Sequence, residues 1–293
     1  MSDVAIVEQI ESEAPSAGLP SRRTLLLGAL LVLLIIVVAL VSFVWTPHDP
    51  TLVSLQDRLA GPGSSFLLGT DQYGRDLVSQ MMVGSRTTLF VGIIAVAIAI
   101  CVGVPLGAVA AVRRGWLDEV IMRLADVVFA FPAVLMAILL AAGFGGGTVT
   151  AMTAIGISYV PVFARVTRGA SLQILEREFV LAARAYAVGP VKNFVRHVLP
   201  NISHVLIVQG TIAFALAILA EAALSYLGLG TQPPTPSWGR MLREAQTYIS
   251  LAPRLAIWPG LAIAVSVLGF SLLGDGLRDA LDPKFAERGK GPR

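Results

Sequence analysis

Thr24 to Trp45 is a run of 22 residues without a charge, and as a helix rising about 1.5 Å per residue it exceeds the roughly 30 Å hydrocarbon layer of a bilayer. Five further apolar runs follow, at Leu89 to Val112, Val120 to Ala142, Val149 to Val166, Val205 to Leu227 and Leu255 to Leu273. Lipid offers the backbone no hydrogen-bond partner, so each span must satisfy its own amides and carbonyls, and only helices or closed barrels do so. No period-two alternation points to a barrel. The expected fold is an all-α integral membrane protein with six transmembrane helices. Composition agrees: 55% of residues are apolar and 14% charged, against about 25% charged in soluble domains. The first run reads as a retained span, because Glu8, Glu11 and Glu13 precede it where a signal peptide would carry a basic start. Pro105, Pro161 and Pro259 are expected to mark kinks. Cys101, alone in the chain, excludes an intrachain disulfide and reads as a packing residue.

Orientation follows from the basic residues. With the N-terminus inside, the cytoplasmic connections and tails carry sixteen Lys and Arg and the opposite side six. That asymmetry predicts both termini cytoplasmic. The layout is then a cytoplasmic tail at 1–23, a first transmembrane helix at 24–45 and an extracytoplasmic segment at 46–88. A five-helix core at 89–276, including a cytoplasmic elbow at 171–200, and a cytoplasmic tail at 277–293 complete it. The net charge of +3 is too small and too dispersed for a nucleic-acid surface.

Catalytic signatures are missing from the sequence. No G-x-x-x-x-G-K-[ST] stretch occurs, and Gly143 to Gly147 lacks a lysine and reads as a turn between spans. His48, His197 and His204 are scattered, which argues against a membrane enzyme. A secondary transporter would carry ionisable groups near the midplane, and this chain has few. Arg123 and Asp126 fall in the first turns of the third run, where they can snorkel or pair with each other. Glu221 lies near the outer end of the fifth run, and interfacial solvation and a place in the translocation path both remain open.

The connection from Thr167 to Ser203 is too long for a turn and too polar for lipid. Leu172, Leu175, Phe179, Ala182 and Tyr186 recur at helical spacing, Gly189-Pro190 interrupts, and Val191, Phe194, Val195, Val198 and Leu199 form a second pattern expected to stop at Pro200. A helix-break-helix elbow results, either a membrane-surface pair or a docking knob.

At this elbow Leu181 to Ala187, and then His197-Val198-Leu199-Pro200-Asn201, resemble the EAA loop of bacterial ABC-importer permeases. Leu68-Gly69-Thr70-Asp71-Gln72-Tyr73-Gly74-Arg75-Asp76, Leu224 to Gly230, Gln232 to Gly239 and Leu273 to Pro283 resemble the dipeptide/oligopeptide/nickel permease family. The branch is that of the second permease subunit. The resemblance covers about residues 20 to 285 and implies the type I ABC-importer permease fold. It further implies a second homologous permease, two cytoplasmic ATPase domains that carry ATP and Mg, a solute-binding protein and a peptide substrate, with no cofactor or metal on this chain. Nickel, glutathione or another small solute is the alternative cargo, and a stand-alone secondary transporter the alternative mechanism. Ala182, Ala183, Arg184, Ala187, Gly189, Pro190, His197, Leu199 and Pro200 are then expected to couple to the ATPase. Leu181 and Ala187 depart from the family pattern, which has Glu and Gly there, and Gly189 is expected to supply the flexibility. Asp71, Arg75, Asp76 and Arg86 read as a mutually neutralised group, and with Pro233, Pro234 and Trp238 they are expected to form the outer mouth or a binding-protein docking surface. Pro236 further stiffens that loop.

Overall fold

The computed structural model describes residues 21–281. Among them the helices are α1 (Ser21–Val44), α2 (Leu77–Arg113), α3 (Gly115–Phe129), α4 (Ala133–Phe144), α5 (Thr148–Leu175), α6 (Glu178–Ala185), α7 (Pro190–Tyr226), α8 (Trp238–Ala245) and α9 (Arg254–Leu281). No extended strand occurs among the described residues, only an isolated bridge between Thr70 and Asp76. Parts of the expected tails at 1–20 and 282–293 lie outside the described residues.

Five helices are long and apolar enough to cross a membrane, and α3 with α4 makes a sixth span if the pair is counted as one. That pair corrects the third expected span: the run does not continue straight but bends by 85° between Phe129 and Ala133. Pro132 sits at the bend, where it lacks an amide proton and disfavours helix in the residue before it. The second helix begins at Leu77, well before Leu89, because the Asp76 carboxylate accepts from the Ser79 amide at 2.9 Å and caps it. Its first turns are too polar for a hydropathy signal, yet Ser79, Gln80, Ser85 and Thr88 are buried against protein.

Small residues set the helix contacts. On α1 the buried positions Gly28, Val32, Ile35, Ala39 and Ser42 form one seam with spacings of four and three, flanked by the half-buried Leu25, Leu31 and Val38. Gly103 and Gly107 of α2 lie against α5. A Cβ on Gly103 would stand 2.7 Å from the Val160 carbonyl oxygen, and one on Gly107 would strike the carbonyl of Ala164. This is the close backbone approach that small residues four apart permit in membrane helices. Pro105, Pro161 and Pro259 all lie inside helices. Cys101 is exposed on α2, contrary to its expected packing role.

Pro200 does not end a helix. A π-turn over Phe194–Val198 precedes it, in which the Leu199 amide donates to the Phe194 carbonyl, and the helix runs on without interruption to Tyr226. Proline carries no amide proton and its ring crowds the carbonyl four residues back, so widening the turn is the local remedy.

Gly107→Ala is expected to lower the thermal midpoint of the solubilised protein, at a cost of about 1–3 kcal/mol from overpacking. Gly169→Ala on the opposing helix, where an added Cβ meets nothing within 4 Å, is expected to leave the midpoint unchanged or raised. Equal losses in the two variants would show that the α2–α5 crossing is not close-packed.

Candidate functional site

Two clusters of residues singled out in the sequence occupy opposite ends of α7. At one end is the elbow. It is shorter than the sequence pattern implies, because α5 extends through Leu175 and claims Leu172 and Leu175 for the membrane helix. The elbow proper is α6, a turn, and the first residues of α7. Val180 is fully buried, and with Phe194 and Val198 it packs against Ala111 of α2, Leu175 of α5 and Ile202 of α7. Asn193 reaches back to the Val180 carbonyl at 3.5 Å, and His197 meets Phe179 edge-on with ring centroids 6.4 Å apart. The outward surface is apolar: Phe179, Leu181, Tyr186, Val191 and Val195 are exposed. Ala182 is also exposed and Ala183 half-buried beside them, while Leu199 and Pro200 lie on α7 beyond the π-turn.

The turn after α6 is a Schellman motif. The Val188 amide donates to the Ala183 carbonyl at 3.1 Å, and Ala187 between them takes the left-handed conformation with φ of 58°. Glycine is the usual residue at that position because it has no Cβ to strain. The expectation that Gly189 supplies the missing freedom is corrected: Gly189 has φ of −57° and open space around it, and Ala187 itself adopts the strained conformation.

At the other end, the charged group forms an alternating ion chain. Arg75 Nε donates to Asp71 at 2.6 Å and its Nη2 to Glu244 at 2.7 Å, and Arg240 Nε donates to the other Glu244 oxygen at 2.7 Å. Gln80 and Gln72 add hydrogen bonds of 2.9 Å to Asp71 and Glu244. Arg75, Asp71 and Arg240 are all buried. Breaking such a pair leaves an uncompensated charge and typically costs about 3–5 kcal/mol, so the chain rigidly fixes loop 69–76 to α8. Asp76 stands apart as the α2 cap, with His48 Nδ1 at 3.6 Å. Arg86 is also separate, and this corrects its place in a mutually neutralised group. Its Nε donates to Ser42 at 2.5 Å and its guanidinium lies 4.2 Å above the Phe43 ring. With Asp49, Pro234 and Pro236 it lines an open pocket of about 550 Å³. The Thr51 hydroxyl, and then its backbone amide, hold the exposed Asp49 carboxyl below its ordinary value. Trp238 is buried and donates from Nε1 to the Met81 carbonyl at 3.0 Å, beside Gly84. Pro233 and Pro234 stay exposed on the loop between.

Sequence reasoning passed over Arg240 and Glu244, although their spacing of four on a helix is an ion-pair signal. It left Glu221 open between two readings, and interfacial solvation is now excluded: the side chain is 1% exposed. Ser225 donates to its Oε1 at 2.7 Å and Thr231 approaches at 3.4 Å, while Oε2 and the nearby Thr88 hydroxyl have no hydrogen-bond partner. The Thr231 amide donates in turn to Ser225 at 3.0 Å, so Glu221 holds the start of the proline loop against α7. Arg123 and Asp126 do not pair with each other: Arg123 lies 3.9 Å from Glu119, and Asp126 binds Arg165 at 2.7 Å. No group of three His, Cys, Asp or Glu suited to a metal occurs among the described residues.

Comparison with known proteins agrees with this architecture. A glutathione transport system permease protein, GsiD, of Pectobacterium atrosepticum is 42% identical over 259 residues, 88% of this chain and 86% of that protein. A dipeptide transport system permease protein, DppC, of Alkalihalophilus pseudofirmus is 38% identical over 267 residues, 91% of this chain and 88% of that protein. The inward-facing MetNI methionine ABC transporter contains a chain of similar fold, with a TM-score of 0.59 at 17% identity, covering 69% of this chain and 96% of that one. Residues 103–287 match the family of binding-protein-dependent transport system inner membrane components. The chain belongs to that family and is a permease subunit of an ABC importer.

Proposed function

We propose that this chain and a second homologous permease together form the path by which an ATP-driven importer moves short peptides across the inner membrane. The observation that carries the substrate class is that two relatives of unlike cargo, the glutathione permease protein at 42% identity and the dipeptide permease protein at 38%, are both named for short peptides. An extracytoplasmic solute-binding protein delivers the peptide to the loop end, and two cytoplasmic ATPase domains, holding ATP and Mg, act at the elbow. Both termini are cytoplasmic, a reading supported by the sixteen-to-six distribution of basic residues.

The mechanical logic rests on α7. Its 37 residues span about 55 Å at 1.5 Å each, from the elbow at Pro190 to Glu221 and the proline loop. Force on α6 enters through Val180 into the buried cluster with Phe194 and Val198, and α7 carries it to the mouth. The ion chain around Arg75 keeps loop 69–76, α8 and the start of α2 moving as one piece. Asp71, Arg75 and Asp76 are thus structural at the mouth. Arg86, Pro233 and Pro234 face outward, where a binding protein can reach them.

Ala183→Trp in a tagged chain is expected to abolish copurification of an ATPase while the spans remain inserted, since overpacking a tight contact costs about 1–3 kcal/mol. Ala187→Gly is expected to keep copurification and raise stability by relieving a left-handed alanine, a conformation that costs roughly 1–2 kcal/mol. Gly189→Val, at an open position with ordinary φ, is expected to be tolerated. Undiminished ATPase recovery with Ala183→Trp would remove the elbow from the coupling path.

Orientation is checked by labelling. In a Cys101→Ser background, Thr235→Cys is expected to react with an impermeant maleimide applied to intact cells and Tyr186→Cys to react only after lysis. The opposite pattern would invert the topology.

A further inference from the structure

The loop end holds two opposite charges that the ion chain does not use. Arg86 and Asp49 line the same open pocket of about 550 Å³, yet neither enters an ion pair among the described residues. Each is anchored by its own surroundings. The Arg86 guanidinium lies 4.2 Å from the Phe43 ring centroid and its Nε donates to Ser42, which leaves the edge formed by its two Nη groups without a partner among the described residues. The Asp49 carboxylate accepts from the Thr51 amide at 2.8 Å and from the Thr51 hydroxyl at 2.6 Å, both at Oδ1. No basic group pairs with its Oδ2 among the described residues. The two charges thus stand farther apart than the 4.0 Å of an ion pair, in a pocket whose lining also includes the apolar Pro50, Val83, Pro234 and Pro236.

A small zwitterion with an apolar body complements this arrangement. A carboxylate accepts two parallel bonds from a free guanidinium edge, an ammonium balances the aspartate, and the apolar lining takes side chains. Size selects among zwitterions. One extended residue spans roughly 3.3–3.6 Å and cannot bridge the two charges, whereas two or three reach about 7–11 Å. A compact space of about 550 Å³ is about 10 Å across, within the roughly 300–1,000 Å³ of small-ligand pockets. We propose, resting on the short-peptide cargo proposed above, that this pocket is a transit subsite for a di- or tripeptide, with Arg86 at its C-terminal carboxylate and Asp49 at its N-terminal ammonium.

The test uses the complete assembly, with its binding protein and ATPases, in nanodiscs during ATP turnover. The probe is alanyl-photoleucine, a dipeptide with free termini and a photoactivatable side chain, and cross-linked peptides are mapped by mass spectrometry. Labelling of this chain is expected at 46–51, 83–86 and 234–236, and to fall about tenfold in Arg86→Gln and in Asp49→Asn, the loss of one charge-assisted contact. Blocking the probe's termini matches each charge to its partner. The amidated probe is expected to label the unaltered protein about tenfold less and to be indifferent to Arg86→Gln, and the N-acetylated probe to be indifferent to Asp49→Asn. Blocked probes on the unaltered protein keep the test valid even where Arg86→Gln disturbs the contacts with Ser42 and Phe43. Equal labelling by free and blocked probes, labelling of the binding protein alone, or cross-links on this chain that avoid all three segments would each overturn the proposal. Peptide uptake without labelling of the pocket would remove the subsite and leave the cargo reading standing. Failure to take up any short peptide would remove both.

Discussion

Lipid supplies no hydrogen bonds, and this one constraint organises the molecule. Burial inside protein imposes the same demand outside the bilayer, and Arg75, buried in the loop end, is enclosed by Asp71 and Glu244. Glu221 meets the rule at one oxygen only, through hydroxyls of Ser225 and Thr231, and its Oε2 is buried without a partner among the described residues. Between helices the hydrophobic effect gives little discrimination in a bilayer, so close packing takes over. Gly103 and Gly107 bring the α2 and α5 backbones together for that reason.

The two ends differ in how they are built. The loop end is held by buried ionic and hydrogen-bonded contacts, which are geometrically demanding and resist deformation. The elbow end is held by Val180, Phe194 and Val198 in an apolar cluster and otherwise exposes Leu181, Tyr186 and Val191. A contact surface of that kind suits a partner that must be gripped and released. The π-turn before Pro200 lets α7 begin at the elbow and run on to Tyr226, so the proposed docking surface and the proposed mouth are joined by one helix.

Which stretches span was legible because long apolar runs declare themselves, and the elbow was legible from its periodicity and its family motif. The exceptions share a cause. Leu77 to Thr88 is helical but polar, since protein and not lipid receives its side chains, and hydropathy is blind to that distinction. Pro132 and Pro200 look alike in sequence. One breaks a span, because an 85° bend there is accommodated, and the other is absorbed by a wider turn, because tertiary packing on both sides holds the helix together. Arg86 was grouped with Asp71 by proximity along the chain, but ten residues of capped helix and its contact with Phe43 carry it elsewhere. Glu244 lies 169 residues from Arg75, and no local pattern announces such a partner. Ala187 shows the reverse case: its departure from glycine was visible, but only the backbone reveals that the left-handed turn persists.

The central claim is that this subunit forms a passage but supplies no energy. The most direct measurement is peptide uptake into proteoliposomes holding either the purified chain alone or the complete assembly with its ATPases and binding protein. The account predicts ATP-dependent accumulation by the assembly and none by the chain alone, with or without ATP or an ion gradient. Accumulation of peptide against a gradient by the isolated chain would contradict it.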